Sequence, residues 1–265
     1  MSALQVYVEG IGLWSATLAD FASLKAQERG ETVVPPPSRP AATTLPANER
    51  RRAPESVLLA VEVAGQAVAM SGLAAAELPC VFSSAYGDQL ISDYMCTTLA
   101  HAPTELSPTR FHNSVHNAPA GYWTIATGCH APSSAITAGH ASFGAGLLEA
   151  ATLCATEHQP VLLVCSDIAG HGPLGEMSGT HTSFGCALVL SPRQDERSLA
   201  RLDLMLEPHA GSMLHPAPRT GAWQEANPMA SAAWPLMQNL ARGDGECTVA
   251  AAETLALRIV METAA

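Results

Sequence analysis

The sequence predicts an α/β protein in which helices cover both faces of a sheet. Two observations lead to this prediction. Strand-like and helix-like segments alternate along the 265-residue chain, and this alternation is typical of sheets layered between helices. Several strand-like segments, such as 160–167 and 186–190, are continuous apolar runs, which indicates strands buried on both faces.

The individual elements follow from local signals. Strand 6–12 runs into a glycine turn, and 31–52 is rich in Pro, Ser and Thr, which indicates an irregular surface loop. A helix is predicted over 53–72, because Pro54 is tolerated in a first turn and Gly72 supplies an end. The other predicted strands are 80–83, 133–137, 160–167, 186–190, 200–207 and 255–261. Helices are predicted over 89–99, directly after the strand 133–137, and over 229–242, with short helical material over 13–29 and a proline-interrupted, partly helical stretch over 107–128. The remaining segments are a turn over 84–88, a loop over 179–185 and a stretch without clear pattern over 211–227.

Composition narrows the classes of function. The net charge is −11, from 24 acidic and 13 basic residues, which argues against binding to nucleic acid or to an anionic membrane. No apolar run reaches the ~18 residues of a membrane-spanning helix. The first residues, MSALQVYVEGIG, lack a basic start and indicate a strand rather than a signal peptide. Seven scattered cysteines without a C-x-x-C pair indicate reduced thiols and a cytoplasmic protein.

The stretch 131–153 carries the strongest functional signal. A short strand-like run ends in the small-residue turn Ala138-Gly139 and continues as a helix rich in Ala and Leu. Enzymes that attack acyl groups place a nucleophile at the tip of such a strand-turn-helix, called the elbow below. The residue at the tip of this elbow is His140, where a cysteine or serine would be expected.

Several segments together, in order, resemble the β-ketoacyl synthases over about residues 4–207. They are VEGIGLWS, RRAPESVLLAVEVAGQAVAMSGL, LPCVFSSAYGD, NAPAGYWTIATGCHAPSSAITAGH, PVLLVCSD and SGTHTSFGCALVLS. The resemblance implies a thiolase-like fold, a layered mixed sheet with helices on both faces, corresponding to the N-terminal half of a ketosynthase. We expect one such domain over 1–265, in which about 208–265 is a divergent C-terminal extension.

Two departures from the family pattern affect the expected function. The nucleophilic cysteine of the family aligns with His140, and an imidazole cannot form the thioester that loads the growing chain. The family's two histidine motifs, of the HGTGT and G-H-N type, do not occur, and the chain ends before that half of a ketosynthase could fit. The resemblance therefore implies a chain-length-factor-like subunit that is not an enzyme by itself and has no catalytic residue, cofactor or metal.

The same resemblance implies partners and a site. The subunit would form a heterodimer with a ketosynthase, meet an acyl carrier protein through that complex, and act in type II polyketide, aryl-polyene or fatty-acid-like biosynthesis. The strand 133–137 would be an edge strand that pairs across the dimer. The segment 107–128 would face the partner's acyl tunnel. The candidate tunnel or interface residues are Phe111, His112, His116, Tyr122, Trp123 and Phe143.

An enzyme remains the alternative. Ser142, two residues past the tip, could serve a stand-alone acyl-transfer or hydrolytic enzyme together with His140 or His181 and with Asp167. The G-x-S-x-G spacing of such hydrolases is absent, however. His140 could instead act as a general base.

Two further patterns indicate other ligands more weakly. His112 and His116 have the spacing of zinc ligands on one helix face, but a third ligand is not visible nearby. Gly144-x-Gly146 followed by Asp167 imitates a dinucleotide-binding unit, but Glu149 occupies the third glycine position and would repel a pyrophosphate. We therefore expect neither a metal nor a nicotinamide cofactor.

Overall fold

The computed structural model describes residues 3–209 and 223–264. In these residues eight strands form one mixed sheet in the order β3-β2-β4-β5-β1-β6-β8-β7. The strands are β1 (Leu4–Ser15), β2 (Cys80–Ser83), β3 (Ser133–Ile136), β4 (Val161–Asp167), β5 (Phe184–Ser191), β6 (Ala200–Pro208), β7 (Asp244–Ala250) and β8 (Leu255–Thr263).

The two ends of the sheet are built differently. Strand β2 is parallel to both of its neighbours, β3 and β4, and every other pair in the sheet is antiparallel. Strand β3 lies at one edge of the sheet, as the resemblance to ketosynthases implies for 133–137. The parallel strands β2 and β4 end on the same side, so the residues that follow them meet there.

Helices lie on both faces of the sheet, as predicted. They are α1 (Phe21–Glu28), α2 (Ala47–Arg52), α3 (Glu55–Ser71), α4 (Gln89–His101), α5 (Pro108–His112), α6 (Ala118–Thr127), α7 (Ser142–Glu157), α8 (Gly172–Ser178) and α9 (Pro228–Arg242). One apolar cluster joins α1, α7 and α9 to one face, and a second joins α3 and α6 to the other. In β4 the odd-numbered Val161 and Leu163 belong to the first cluster and the even-numbered Leu162 to the second, which is the period-2 alternation of a strand.

Strand β1 changes phase at Glu9. The pairing with β5 shifts between Val8 and Gly10, and a bulge of this kind adds one residue to a strand. Val8 before the bulge and Ile11 after it therefore reach the same apolar cluster. The extra residue, Glu9, is buried, and its carboxylate lies 3.8 Å from the guanidinium of Arg197.

Three short elements were not expected from the sequence. Helix α2 lies inside the segment predicted as a loop, because Ala, Glu and Arg at five of its six positions are good helix formers within a Pro-rich stretch. Helix α8 begins with Gly-Pro and β7 begins with Asp-Gly. Both pairs are typical of turns, so the sequence predicts neither element. Most of the pattern-free stretch 211–227 lies outside the described residues.

None of the helices in residues 3–209 and 223–264 has both the length and the apolar character that a membrane crossing needs.

Candidate functional site

The elbow predicted around His140 is present between β3 and α7. Gly139 has φ +56°, a left-handed conformation that glycine adopts without steric cost, and the turn Gly139–Ala141 continues directly into α7. His140 lies on this turn and is partly buried. The tip residue therefore lies between the end of a strand and the start of a helix.

Ser142 is occupied by the backbone of the same turn. Its Oγ donates to the carbonyl oxygen of Gly139 at 2.7 Å and accepts from the backbone N–H of Ala138 at 2.9 Å. The residue is also buried, with 1% of its surface exposed. A hydroxyl in this position closes the turn and starts the helix, so the geometry does not support Ser142 as a nucleophile.

Asp167 also does not join Ser142. Its carboxylate accepts from Ser84 Oγ at 2.6 Å and from the backbone N–H of Ala85 at 3.0 Å, both in the loop after β2. These residues meet because β2 and β4 are parallel neighbours. The sequence singles out Asp167 as a possible catalytic or cofactor residue, and the structure uses it to hold the loop 84–87.

Burial controls the charge of Asp167. With 2% of its surface exposed, desolvation raises the pKa of this carboxyl to about 6, although the donors from Ser84, Ala85 and Tyr86 act in the opposite direction. These hydrogen bonds stabilise the charged form of the carboxyl group and oppose the effect of its burial.

Tyr86 connects this loop to the elbow and is a residue that the sequence analysis did not single out. Its ring meets the imidazole of His140 edge to face, with centroids 6.2 Å apart and an angle of 87°. Burial, and then the nearby carboxylate of Asp167, raise the pKa of Tyr86. Tyr86 is 39% exposed, so Tyr86 and His140 form a partly open aromatic surface at the elbow.

The segment 107–128 lies beside this surface. His116 Nε2 lies 3.2 Å from the carbonyl oxygen of Ser84 in the loop 84–87. Phe111 projects outward, with 58% of its surface exposed. Tyr122 donates a hydrogen bond to the buried side chain of Asn113. These contacts bring part of the predicted set to one side of the protein.

Trp123 and Phe143 have a different environment. Each has only 1% of its surface exposed, and they belong to the two apolar clusters on opposite faces of the sheet. Within this chain both residues are core residues. A role for either in a tunnel remains a prediction.

A cavity of about 440 Å³ lies next to the segment 107–128. Its volume falls within the ~300–1,000 Å³ of typical ligand pockets. The wall combines α5, α6 and the start of α2, and its residues are Leu45, Pro46, Glu49, His112, Asn113, Val115, Asn117, Ala118, Gly121, Tyr122, Ile125 and Ala126. Apolar side chains dominate this wall.

The other two ligand patterns involve His112 with His116 and the glycines of α7. In residues 3–209 and 223–264 no group of three His, Cys, Asp or Glu side chains is placed to hold a metal ion. Gly144 lies inside α7, where an added Cβ would be 2.9 Å from the carbonyl carbon of Ala250. Gly146 similarly approaches the side chain of Ser83. Both glycines allow close packing of α7, as their place inside a helix implies.

Comparison with models of protein families shows the family to which this chain belongs. The model of the β-ketoacyl synthase N-terminal domain matches residues 24–254. The chain belongs to this family. The sheet order and the helices on both faces are those of its thiolase-like fold. A comparison with curated protein sequences gives no match.

Solved structures with this fold cover nearly the whole chain. A ketosynthase (ApeO) in complex with its chain length factor (ApeC) from Xenorhabdus doucetiae matches with a TM-score of 0.72 and 22% identity, over 97% of this chain and 99% of the matched chain. The ishigamide ketosynthase/chain length factor matches with a TM-score of 0.73 and 15% identity, over 98% of this chain and 99% of the matched chain. A type II polyketide synthase acyl-carrier protein in complex with its ketosynthase bound to the hexaketide, AntDE:AntF, matches with a TM-score of 0.74 and 13% identity, over 98% of this chain and 99% of the matched chain. At these identities the likeness establishes the fold.

Proposed function

We propose that this chain is a non-catalytic, chain-length-factor-like subunit that pairs with a ketosynthase and helps to shape its acyl-chain tunnel. The observation that carries the proposal is the elbow, where the family's thioester-forming cysteine is replaced by His140 and the hydroxyl of Ser142 is bound by the backbone. Cys80 lies at the start of β2 and Cys154 near the end of α7, so neither thiol is at the elbow. Burial also raises the pKa of both to about 12, which keeps them in the unreactive thiol form.

The surface around the elbow supports a protein partner. Strand β3 is an edge strand, and an unpaired edge favours association with another chain. Helix α6 contacts this strand, and three large apolar side chains of the same region are more than half exposed. They are Phe111, Val115 and Ile125. Val115 and Ile125 line the same cavity, and exposed apolar groups that lie together are typical of protein interaction sites.

The similar solved structures support the kind of partner. Two of them hold a ketosynthase with a chain length factor, and a third holds a ketosynthase with an acyl-carrier protein. By analogy, this subunit forms a cytoplasmic heterodimer with a ketosynthase and meets the acyl carrier protein through that complex. We place it in polyketide, aryl-polyene or fatty-acid-like biosynthesis, with the whole of 1–265 as one domain.

Co-expression with a ketosynthase encoded beside this chain tests the proposal. We expect a defined 1:1 complex by size-exclusion chromatography with light scattering. The His140→Ala complex should condense acyl chains at a rate within a few-fold of the parent, because His140 is not a nucleophile or base. Loss of a general base costs ~10²–10⁴-fold in rate, so a loss of that size in an intact complex would contradict the proposal and favour an enzyme that uses His140.

Truncation of side chains in the segment 107–128, which we propose as a wall of the tunnel, is expected to lengthen the acyl chains that the complex makes. An acyl chain gains ~0.8 kcal/mol for each methylene that it buries, which is about a four-fold preference for each added methylene until a side chain blocks the pocket. Phe111→Ala, His112→Ala and His116→Ala should therefore shift the products of the complex to longer chains, measured by mass spectrometry. Leu255→Ala is the matched control, because Leu255 is an exposed apolar residue on β8, towards the opposite end of the sheet. Parent-like lengths from all three variants in normally assembled complexes would remove this segment from the tunnel.

A further inference from the structure

A buried carboxylate holds the loop that follows β2. Asp167 is the last residue of β4. Strand β2 lies parallel beside β4, and Ser84 is the first residue of the loop 84–87 that follows β2. The carboxylate accepts from the hydroxyl of Ser84 at 2.6 Å, and the backbone N–H of Ala85 lies 3.0 and 3.1 Å from its two oxygens. Two consecutive residues of the loop therefore donate to one side chain.

Asp167 is itself held in place. The side-chain amide of Asn227 donates to the backbone carbonyl oxygen of Asp167 at 3.1 Å. The same Asn227 caps α9, because its Oδ1 accepts from the backbone N–H groups of Met229 and Ala230. The backbone of Asp167 is thus fixed relative to α9 and the core, and its side chain extends from this fixed position to the loop.

The loop 84–87 in turn contacts both parts of the proposed site. The carbonyl oxygen of Ala85 accepts from Thr137 Oγ1 at 2.9 Å, just before the elbow. The carbonyl oxygen of Ser84 lies against His116. Tyr86 carries the ring that meets His140 edge to face. A displacement of this loop would move the surface at the elbow and loosen the segment 107–128.

We infer that Asp167 is a positioning residue that fixes the loop 84–87 so that Tyr86 covers His140, and that it thereby sets the shape of the surface which this chain presents to the partner's acyl tunnel. The inference rests on the proposed function for its second half. Its first half concerns this chain alone. Burial of a carboxyl group carries a desolvation cost, and ionisable groups in such environments concentrate at functional sites, which agrees with a role beyond packing.

The residue type fits this role. An asparagine at position 167 would keep the size of the side chain but offer one acceptor oxygen in place of two, and its NH₂ group would face the N–H donors of the loop. Asp167→Asn should therefore release the loop without opening a cavity. Ser84→Ala removes the 2.6 Å bond to Asp167 and the 2.9 Å bond that Ser84 Oγ accepts from the backbone N–H of Gly87. The backbone N–H of Ala85 still donates to the carboxylate, so the effect should have the same direction as that of Asp167→Asn and be smaller.

Nuclear magnetic resonance of the folded chain with ¹³C-labelled histidine tests the first half. The His140 signal, assigned with His140→Gln, carries the ring-current shift of Tyr86, and Tyr86→Leu marks its position without that ring. We expect Asp167→Asn to move this signal most of the way to the Tyr86→Leu position. Asp203→Asn, at a surface carboxylate that pairs with Arg201 and Gln5, should leave it in place. An unmoved His140 signal in folded Asp167→Asn, or in Ser84→Ala if Asp167→Asn does not fold, would overturn the inference.

Product lengths from the ketosynthase complex test the second half. We expect Asp167→Asn to change the length distribution in the same direction as Tyr86→Ala, and the double variant to match Tyr86→Ala, because both act through one side chain. A change with Tyr86→Ala but none with Asp167→Asn would overturn the inference and leave the proposed function intact. Parent-like products from Tyr86→Ala and from the Phe111, His112 and His116 variants in intact complexes would instead reject the proposed function.

Discussion

Replacement of Gly12 by alanine is expected to destabilise the protein by at least about 3 kcal/mol, at or beyond the upper end of the usual cost of overpacking. Gly12 lies in β1, and an added Cβ would overlap the carbonyl oxygen of Val63 and lie 2.8 Å from its carbonyl carbon. Gly10 faces Ala67 in the same way, with the carbonyl carbon at 3.0 Å. Urea unfolding followed by circular dichroism measures the loss.

The backbone of α3 explains why this clash cannot relax. Two residues of a strand span about 6.7 Å and four residues of a helix about 6.0 Å. The spacing of Gly10 and Gly12 is therefore close to that of the two carbonyl groups they face, with Gly10 opposite Ala67 and Gly12 opposite Val63. Relief of the clash would require the whole helix to move away from the sheet. Gly121→Ala is the matched control, because the added methyl meets nothing within 4 Å in α6. It should be neutral or stabilising by about 0.5–1 kcal/mol. If Gly12→Ala unfolds like the parent protein, the contact between β1 and α3 is not as described.

The sequence predicts the parts of this protein that depend on local signals. The apolar run of β4, the edge strand β3 and the elbow at His140 follow from periodicity, small residues and the resemblance to ketosynthases. The phase change of β1 does not, because the bulge at Glu9 is visible only when β5 supplies the pairing register. Gly10 and Gly12 then appear as packing residues rather than as parts of a turn.

The contact between Asp167 and Ser84 shows what a single sequence leaves open. The two residues are 83 positions apart, and they meet only because β2 and β4 are adjacent and parallel. A signal was present, since polar residues follow both predicted apolar strands and the ends of parallel strands meet at one edge of a sheet. Tyr86 could have been found by the same reasoning, as it lies in the loop after β2.

Trp123→Ala is expected to destabilise the isolated chain by about 3–5 kcal/mol, the range for loss of a fully buried large aromatic side chain. Trp123 is 1% exposed and packs in the cluster between α3 and the sheet. Its neighbour in the same segment, Phe111, is 58% exposed, so Phe111→Ala should change the free energy of unfolding by no more than about 0.5 kcal/mol. Urea unfolding of both variants measures this difference.

Trp123→Phe separates packing from a tunnel role. It keeps an aromatic ring and removes an indole N–H that is buried without a hydrogen-bond partner among the described residues, so the loss of stability should stay below about 1.5 kcal/mol. We expect this variant to assemble with a ketosynthase as the parent does, so the products of the complex would report on the tunnel directly. We expect the parent length distribution, since Trp123 faces the core of its own chain. Longer products from Trp123→Phe at parent stability would place Trp123 on the tunnel wall and would mean that α6 turns towards the partner when the complex forms.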